Sequence, residues 1–230
     1  MVTKNDFSEL YDSNLFTNAT NSFSLRESQK DASVKGAEFV LPGAEFIVCT
    51  ESIWSSSTEL YTKKSAEFEF KRECDGFVLC DFNDKHYLLW IELKSGFSDI
   101  FNKAVYQLSG CYVKAKSYLR NIASYNPDEY KELGIVVSLP EEQKVRTISG
   151  NTSVLNRRTR LVLTEETASD RCRRRYRKTG TINLKGEDFG LSQLHLSDDI
   201  MLKELPVASC TTTKECPTID LANVLRMFYP

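Results

Sequence analysis

Two carboxylates and an amine, Asp75, Glu92 and Lys94, have the types and spacing to hold a divalent cation beside a proton carrier. In an extended run from His86 to Lys94, side chains alternate between two faces, so Glu92 and Lys94 point one way and Leu93 the other. Leu88-Leu89-Trp90-Ile91 leave neither face polar, which predicts a strand covered on both sides with the charged pair where it emerges. Burying two charges is costly unless they are paired or used. Asp75 stands seventeen positions before Glu92, in the run Cys74 to Cys80. The intervening Asp81-Phe82-Asn83-Asp84-Lys85 is turn-rich and predicts a hairpin that lays Asp75 beside Glu92. Magnesium, or manganese in its place, prefers such oxygen ligands. A cation held there offsets the charge of a phosphodiester and acidifies bound water. It also disfavours the protonated form of a neighbouring lysine, readying it to exchange a proton.

The tripeptide alone is weak evidence, because Glu, any residue, Lys recurs at Glu69-Phe70-Lys71, Glu129-Tyr130-Lys131 and Glu142-Gln143-Lys144 in a chain that is 27% charged. Only Glu92-Leu93-Lys94 ends a strongly apolar run, follows a run carrying Asp75-Gly76, and leads through Ser95-Gly96 into a helical pattern. The other three read as solvated charge.

The elements that must position this group follow from periodicity. Residues 1–36 are polar, with one short helical pattern from Asp6 to Phe16, and read as an N-terminal arm or cap. Strand-like pieces Glu38–Leu41 and Glu45–Cys49 are broken at Pro42-Gly43, and a helical pattern spans Glu51–Lys64. Phe101, Val105, Leu108, Tyr112, Ala115 and Leu119 predict a helix over Phe101–Ile122, and Leu133–Pro140 reads as another buried strand. Strand, strand, helix, strand with near-continuous apolar runs predicts an α/β fold: a central mixed β-sheet flanked by helices, over residues 37–200. Arg160–Thr164 and Thr181–Leu184 are expected strands; Asp198–Leu205 and Ile219–Phe228 are expected helices, with residues 201–230 a C-terminal helical extension.

Composition excludes several classes. The chain has 230 residues, 41% of them hydrophobic, enough for a sizeable core, and no run approaches the roughly 20 apolar residues of a membrane span. The first residues lack a secretory pattern, so an intracellular, cytoplasmic protein is expected. Seven cysteines without a CxxC pair, and only His86 and His195, argue against structural zinc. Cys74 and Cys80 lie in apolar runs and read as small buried hydrophobes, and each histidine reads as structural ahead of a catalytic base.

The net charge of −2 conceals an asymmetry: nine basic against three acidic residues between Arg157 and Lys178. Arg157, Arg158 and Arg160, then Arg173, Arg174, Arg175, Arg177 and Lys178, form a basic stripe of the kind that contacts a phosphate backbone. Tyr176 within it offers a surface on which a base can stack. The plainer reading is a solvated loop or a contact for an acidic protein.

With Asp75, Glu92, Lys94 and the following helix in place, the chain from about residue 66 to 140 resembles the PD-(D/E)XK nuclease superfamily, which includes many restriction endonucleases, Holliday-junction resolvases and RecB-like nucleases. The resemblance implies a restriction endonuclease-like α/β/α core with N- and C-terminal extensions. It implies that Asp75 and Glu92 bind magnesium (or manganese), that the Leu93 carbonyl adds a ligand, and that Lys94 orients or deprotonates water. Gln107 corresponds to a helical glutamine of RecB-like members, although Tyr112 follows it by five residues where those members have four. Many members add a glutamate from an early helix, for which Glu51 and Glu59 are both candidates. The implied activity is hydrolysis of DNA, ahead of RNA, in a homodimer or larger assembly. Two alternatives stand beside it: a nuclease-like subunit that binds nucleic acid or a protein through residues 157–178 without cutting, and a structural salt bridge at a strand end.

Overall fold

A computed structural model describes residues 2–27, 32–50, 52–55, 72–97, 99–140 and 167–230. Its elements in chain order are α1 (Lys4–Leu10), β1 (Phe16–Arg26), β2 (Gly36–Thr50), α2 (Ser52–Ser55), β3 (Gly76–Phe82), β4 (Lys85–Lys94), α3 (Val105–Leu119), β5 (Tyr130–Ser138), α4 (Ala168–Thr179), β6 (Ile182–Lys185), β7 (Glu204–Thr211), β8 (Thr218–Asp220) and α5 (Leu221–Phe228). The strands form one mixed eight-stranded sheet in the order β1-β2-β3-β4-β5-β7-β6, with β8 beside β2. This is the α/β architecture expected, a central sheet flanked by helices.

β3 runs antiparallel to both β2 and β4, while β5 and β7 lie parallel to β4. The β3–β4 hairpin turns on Asn83 and Asp84, both left-handed at φ 51° and 56°, the conformation that a tight two-residue turn demands. The parallel step from β4 to β5 requires a crossover, and α3 supplies it. Strand alternation then divides the core. Leu88 and Trp90 of β4 join Phe77, Leu79, Leu108, Cys111 and Val136 under α3. Leu89, Ile91 and Leu93 join Val78, Cys80, Ile135 and Val137 on the face that α5 covers.

Three expectations are corrected. Phe16–Arg26 belongs to no arm: it is a full strand, antiparallel to β2. The two pieces around Pro42-Gly43 are one strand, bent at a bulge where Gly43 adopts φ 83° and donates its N–H to the Asn21 side chain at 2.8 Å. A bulge tolerates the missing proline donor and the positive φ together. Residues 198–205 do not make a helix, and the region beyond 201 is no helical extension; Glu204–Thr211 is β7, inserted between β5 and β6. Pro206 argues against a central strand in the sequence, yet it pairs with Asn183 of β6, and pairing with β5 begins only at Val207. At the C-terminus the helix begins two residues later than expected, since Thr218–Asp220 forms β8 first.

The strand expected over Arg160–Thr164, most of the helix expected over Glu51–Lys64, and Glu51, Glu59, Arg157, Arg158 and Arg160 lie outside the described residues. Among the described residues no helix is long and apolar enough to cross a membrane.

Candidate metal site and basic helix

The hairpin register pairs Gly76 with Ile91, so the next step of the ladder sets Asp75 opposite Glu92. Both fall on the α3 face by alternation with Phe77 and Trp90. Asp75 is tied to β4 directly: its Oδ2 accepts the Leu93 N–H at 2.6 Å. The Leu93 side chain is buried in the opposite core, as the alternation requires. Glu92 is wholly buried, and its Oε1 is ion-paired with the Lys94 ammonium. Glu92 Oε2 is also buried and accepts no hydrogen bond. Burial first, and the nearby Asp75 charge second, push the Glu92 carboxyl well above the usual carboxylate range, with Lys94 pulling the other way.

Leu93 and Lys94 open onto a cleft of about 390 Å³ whose walls include Arg72, Glu73, Asp99, Lys103 and Gln107. Gln107 is brought to the site, but as a brace: its Nε2 donates to the Glu73 carbonyl at 2.7 Å. One turn and two turns later on α3, Cys111 Sγ receives the Cys74 N–H at 2.8 Å and Lys114 pairs with Glu73 at 3.3 Å. Positions i, i+4 and i+7 share a helix face, so this side of α3 holds residues 73–74 and thereby aims Asp75. Lys114 has no exposed surface and lies 5.4 Å from the Trp54 ring centre, which explains why α3 carries a lysine where its apolar pattern gives no sign of burial.

Sequence reasoning missed Glu73, Arg72 and Lys103. Glu73 lies two residues before Asp75, in the segment that leads into β3. Lys103 was not legible, because Ile100–Ala104 winds as a π-helix before α3 begins, and that wider turn resets which residues face the cleft. Glu51 and Glu59, the early-helix candidates, lie outside the described residues; the carboxylates that line the cleft are Glu27, Glu73 and Asp99, and of the motif Leu93 and Lys94 line it. Among the described residues, no three His, Cys, Asp or Glu side chains converge as a metal-binding group. A pair of carboxylates still fits magnesium, which is commonly held by one or two carboxylates with water and substrate phosphate. The buried Oε2 without a hydrogen-bond partner is the observation that favours a cation there, since it leaves an oxygen able to serve as a ligand.

Neither histidine joins the site. His86 Nδ1 meets Asp81 Oδ1 at 2.6 Å at the far end of the hairpin, and His195 is exposed in a left-handed turn. Cys49, Cys74, Cys80, Cys111 and Cys172 are buried free thiols, with burial pushing Cys80 and Cys172 up to about 12. Thiols so raised are poor nucleophiles.

The described part of the basic stripe is a helix and not a loop. Thr167 and Asp170 form a reciprocal cap at its start, and Gly180 ends it at φ 71°. Its arginines divide by face. Arg171 and Arg175 turn inward onto Asp188, whose carboxylate is almost wholly buried, and Arg175 also donates to the Asn183 carbonyl at 3.0 Å. Arg175 therefore serves the fold as the partner of a buried carboxylate. Arg173 reaches Asn102 at 3.1 Å and stacks 5.3 Å from the Phe101 ring centre, beside the segment that carries Asp99 and Lys103. Arg174, Arg177 and Lys178 are exposed. Tyr176 packs between Phe97 and Phe101 at 5.9 and 5.5 Å, which joins α4 to the rim of the cleft.

No protein-family model matches this chain, and the search of curated proteins and that of solved structures also found no match.

Proposed function

We propose that the chain is a magnesium- or manganese-dependent nuclease that hydrolyses phosphodiester bonds, of DNA ahead of RNA, of the type that the PD-(D/E)XK resemblance implies. The observation that carries this reading is Glu92: a wholly buried carboxylate, half satisfied by Lys94, with its second oxygen unpartnered next to Asp75. A divalent cation bound there would neutralise phosphate charge and acidify a water.

The chain's own residues supply the rest. Asp75 and Glu92 hold the cation, with the Leu93 carbonyl as a further oxygen. Lys94, at the cleft floor, carries the proton exchanged with the attacking water or offsets charge that develops on the phosphate. Gln107, Cys111 and Lys114 keep residues 73–74 against α3 so that Asp75 stays aligned. Arg174, Arg177 and Lys178 on the outer face of α4, with Arg173 at its edge, contact the backbone leading to the cleft.

Purified protein should cleave plasmid or oligonucleotide when Mg²⁺ or Mn²⁺ is present and stop when the cation is chelated. Cleavage that survives both Asp75→Ala and Lys94→Ala would sink this reading. A second reading, binding without cutting, draws support from the absence of a third converging ligand among the described residues. It predicts salt-sensitive binding indifferent to chelator and no cleavage at any cation concentration.

A further inference from the structure

Ser138 ends β5 and is paired in register with Lys94 of β4. Val136 packs under α3 while Ile135 and Val137 pack on the opposite face, so alternation puts Ser138 on the α3 face beside Lys94. Ladder partners on adjacent strands stand about 5 Å apart. Ser138 has no exposed surface, and although its carbonyl accepts the Thr212 N–H at 2.9 Å, its Oγ is buried without a hydrogen-bond partner. A buried hydroxyl in that condition is unusual, because its desolvation is uncompensated and an alanine or valine would avoid it.

The neighbouring ion pair supplies a reason for the hydroxyl. Lys94 rests on Glu92 Oε1, the same carboxylate that offers its other oxygen to a cation. A divalent ion and an ammonium sharing one carboxylate repel each other, and the ammonium needs a second acceptor in order to yield. Among the described residues' buried side-chain oxygens without a partner, Ser138 Oγ is the one standing in register with Lys94.

We propose that Ser138 is a positioning residue for Lys94: its Oγ accepts the Lys94 ammonium when Glu92 engages a divalent cation. One carboxylate can then serve both partners without expelling the lysine from the cleft. The inference rests on the reading of Asp75 and Glu92 as a cation site.

The test is Mn²⁺ binding, followed by the paramagnetic resonance of the free ion, in the wild type, Ser138→Ala, Ser138→Thr and each of these changes combined with Lys94→Met. Loss of the acceptor should weaken Mn²⁺ affinity roughly tenfold, as expected for one hydrogen bond to a charged group, and threonine should restore it. In the Lys94→Met background the alanine substitution should have no further effect, because a residue that acts through Lys94 has nothing left to hold. Unchanged affinity in Ser138→Ala, or an effect that persists without Lys94, would overturn the proposal. The contrast of alanine with threonine decides the matter even if the Lys94→Met chain does not fold. Mn²⁺ binding with this Ser138 dependence but no cleavage would remove the nuclease reading alone, while cleavage with no Ser138 dependence would remove this inference alone.

Discussion

Among the described residues two carboxylates are buried almost completely, and they are treated in opposite ways. Asp188 receives two guanidiniums, Arg171 and Arg175, and both of its oxygens are engaged. Glu92 receives one ammonium on one oxygen and nothing on the other. The first arrangement satisfies a charge and locks α4 against the segment that follows β6. The second leaves a buried carboxyl with one oxygen unpartnered, beside Lys94, which itself lines the cleft. A carboxylate whose desolvation is fully compensated within the chain is architecture, whereas one left incomplete beside an opening is a candidate for binding.

The largest effects should fall on the incomplete side. Asp75→Ala or Lys94→Ala is expected to lower the single-turnover cleavage rate by about 10²–10⁴-fold, the range for losing a positioned proton carrier or its partner. Circular dichroism should show the fold retained, and a collapse of structure instead would place Asp75 with Asp188 as architecture. Asp188→Ala should do the reverse. It strands two cations at once, and urea denaturation should show a loss of about 3 kcal/mol, near the low end for a broken buried pair because the two arginine side chains keep 28% and 27% of their surface. Cleavage per folded molecule should be unchanged.

Glu92 sharpens the contrast through pH. Its folded-state pKa is raised, so the native state holds a proton that the unfolded chain releases more easily. Its contribution to stability is therefore fully present below the ordinary carboxylate range and is lost as pH rises toward the raised value. Urea midpoints measured without divalent cation should fall across that window in the wild type, and Glu92→Gln should flatten the fall. A smaller effect is expected at the brace: Gln107→Leu removes the donor to the Glu73 carbonyl and should cost about 1 kcal/mol in denaturant unfolding. On the outer face of α4, Arg177→Ser with Lys178→Ser should leave stability unaltered. Binding should weaken equally for all oligonucleotide sequences, and the slope of log affinity against log salt should shrink by about 2. An unchanged slope would return those residues to a purely solvated role.

How much of this was legible depended on the range of the interaction that decides it. Asp75, Glu92 and Lys94 could be placed on one face from the alternation of two short runs and the turn between them, because hairpin register is local. The α3 stripe was equally plain. The division of the arginines was not, because their composition is uniform and only the position of Asp188, more than ten residues further on, separates Arg171 and Arg175 from Arg174 and Arg177. β7 was hidden behind the helix expected over residues 198–205; its Pro206 stands opposite Asn183 of β6, and pairing with β5 begins only at Val207. β1 was hidden by its polarity, since an edge strand with one partner need not be apolar throughout.

By itself, the sequence determined the hairpin, the crossover helix and the shared face of the three charged residues, since periods of two and 3.6 are properties of the backbone that side-chain order alone reveals. Tertiary structure decided which charges are spent and which are left over. It matched Asp188 to two arginines, Glu73 to Lys114, and Ser138 to the register of Lys94. Each match joins segments that no local pattern connects, and burial sets its energy only after the chain has folded.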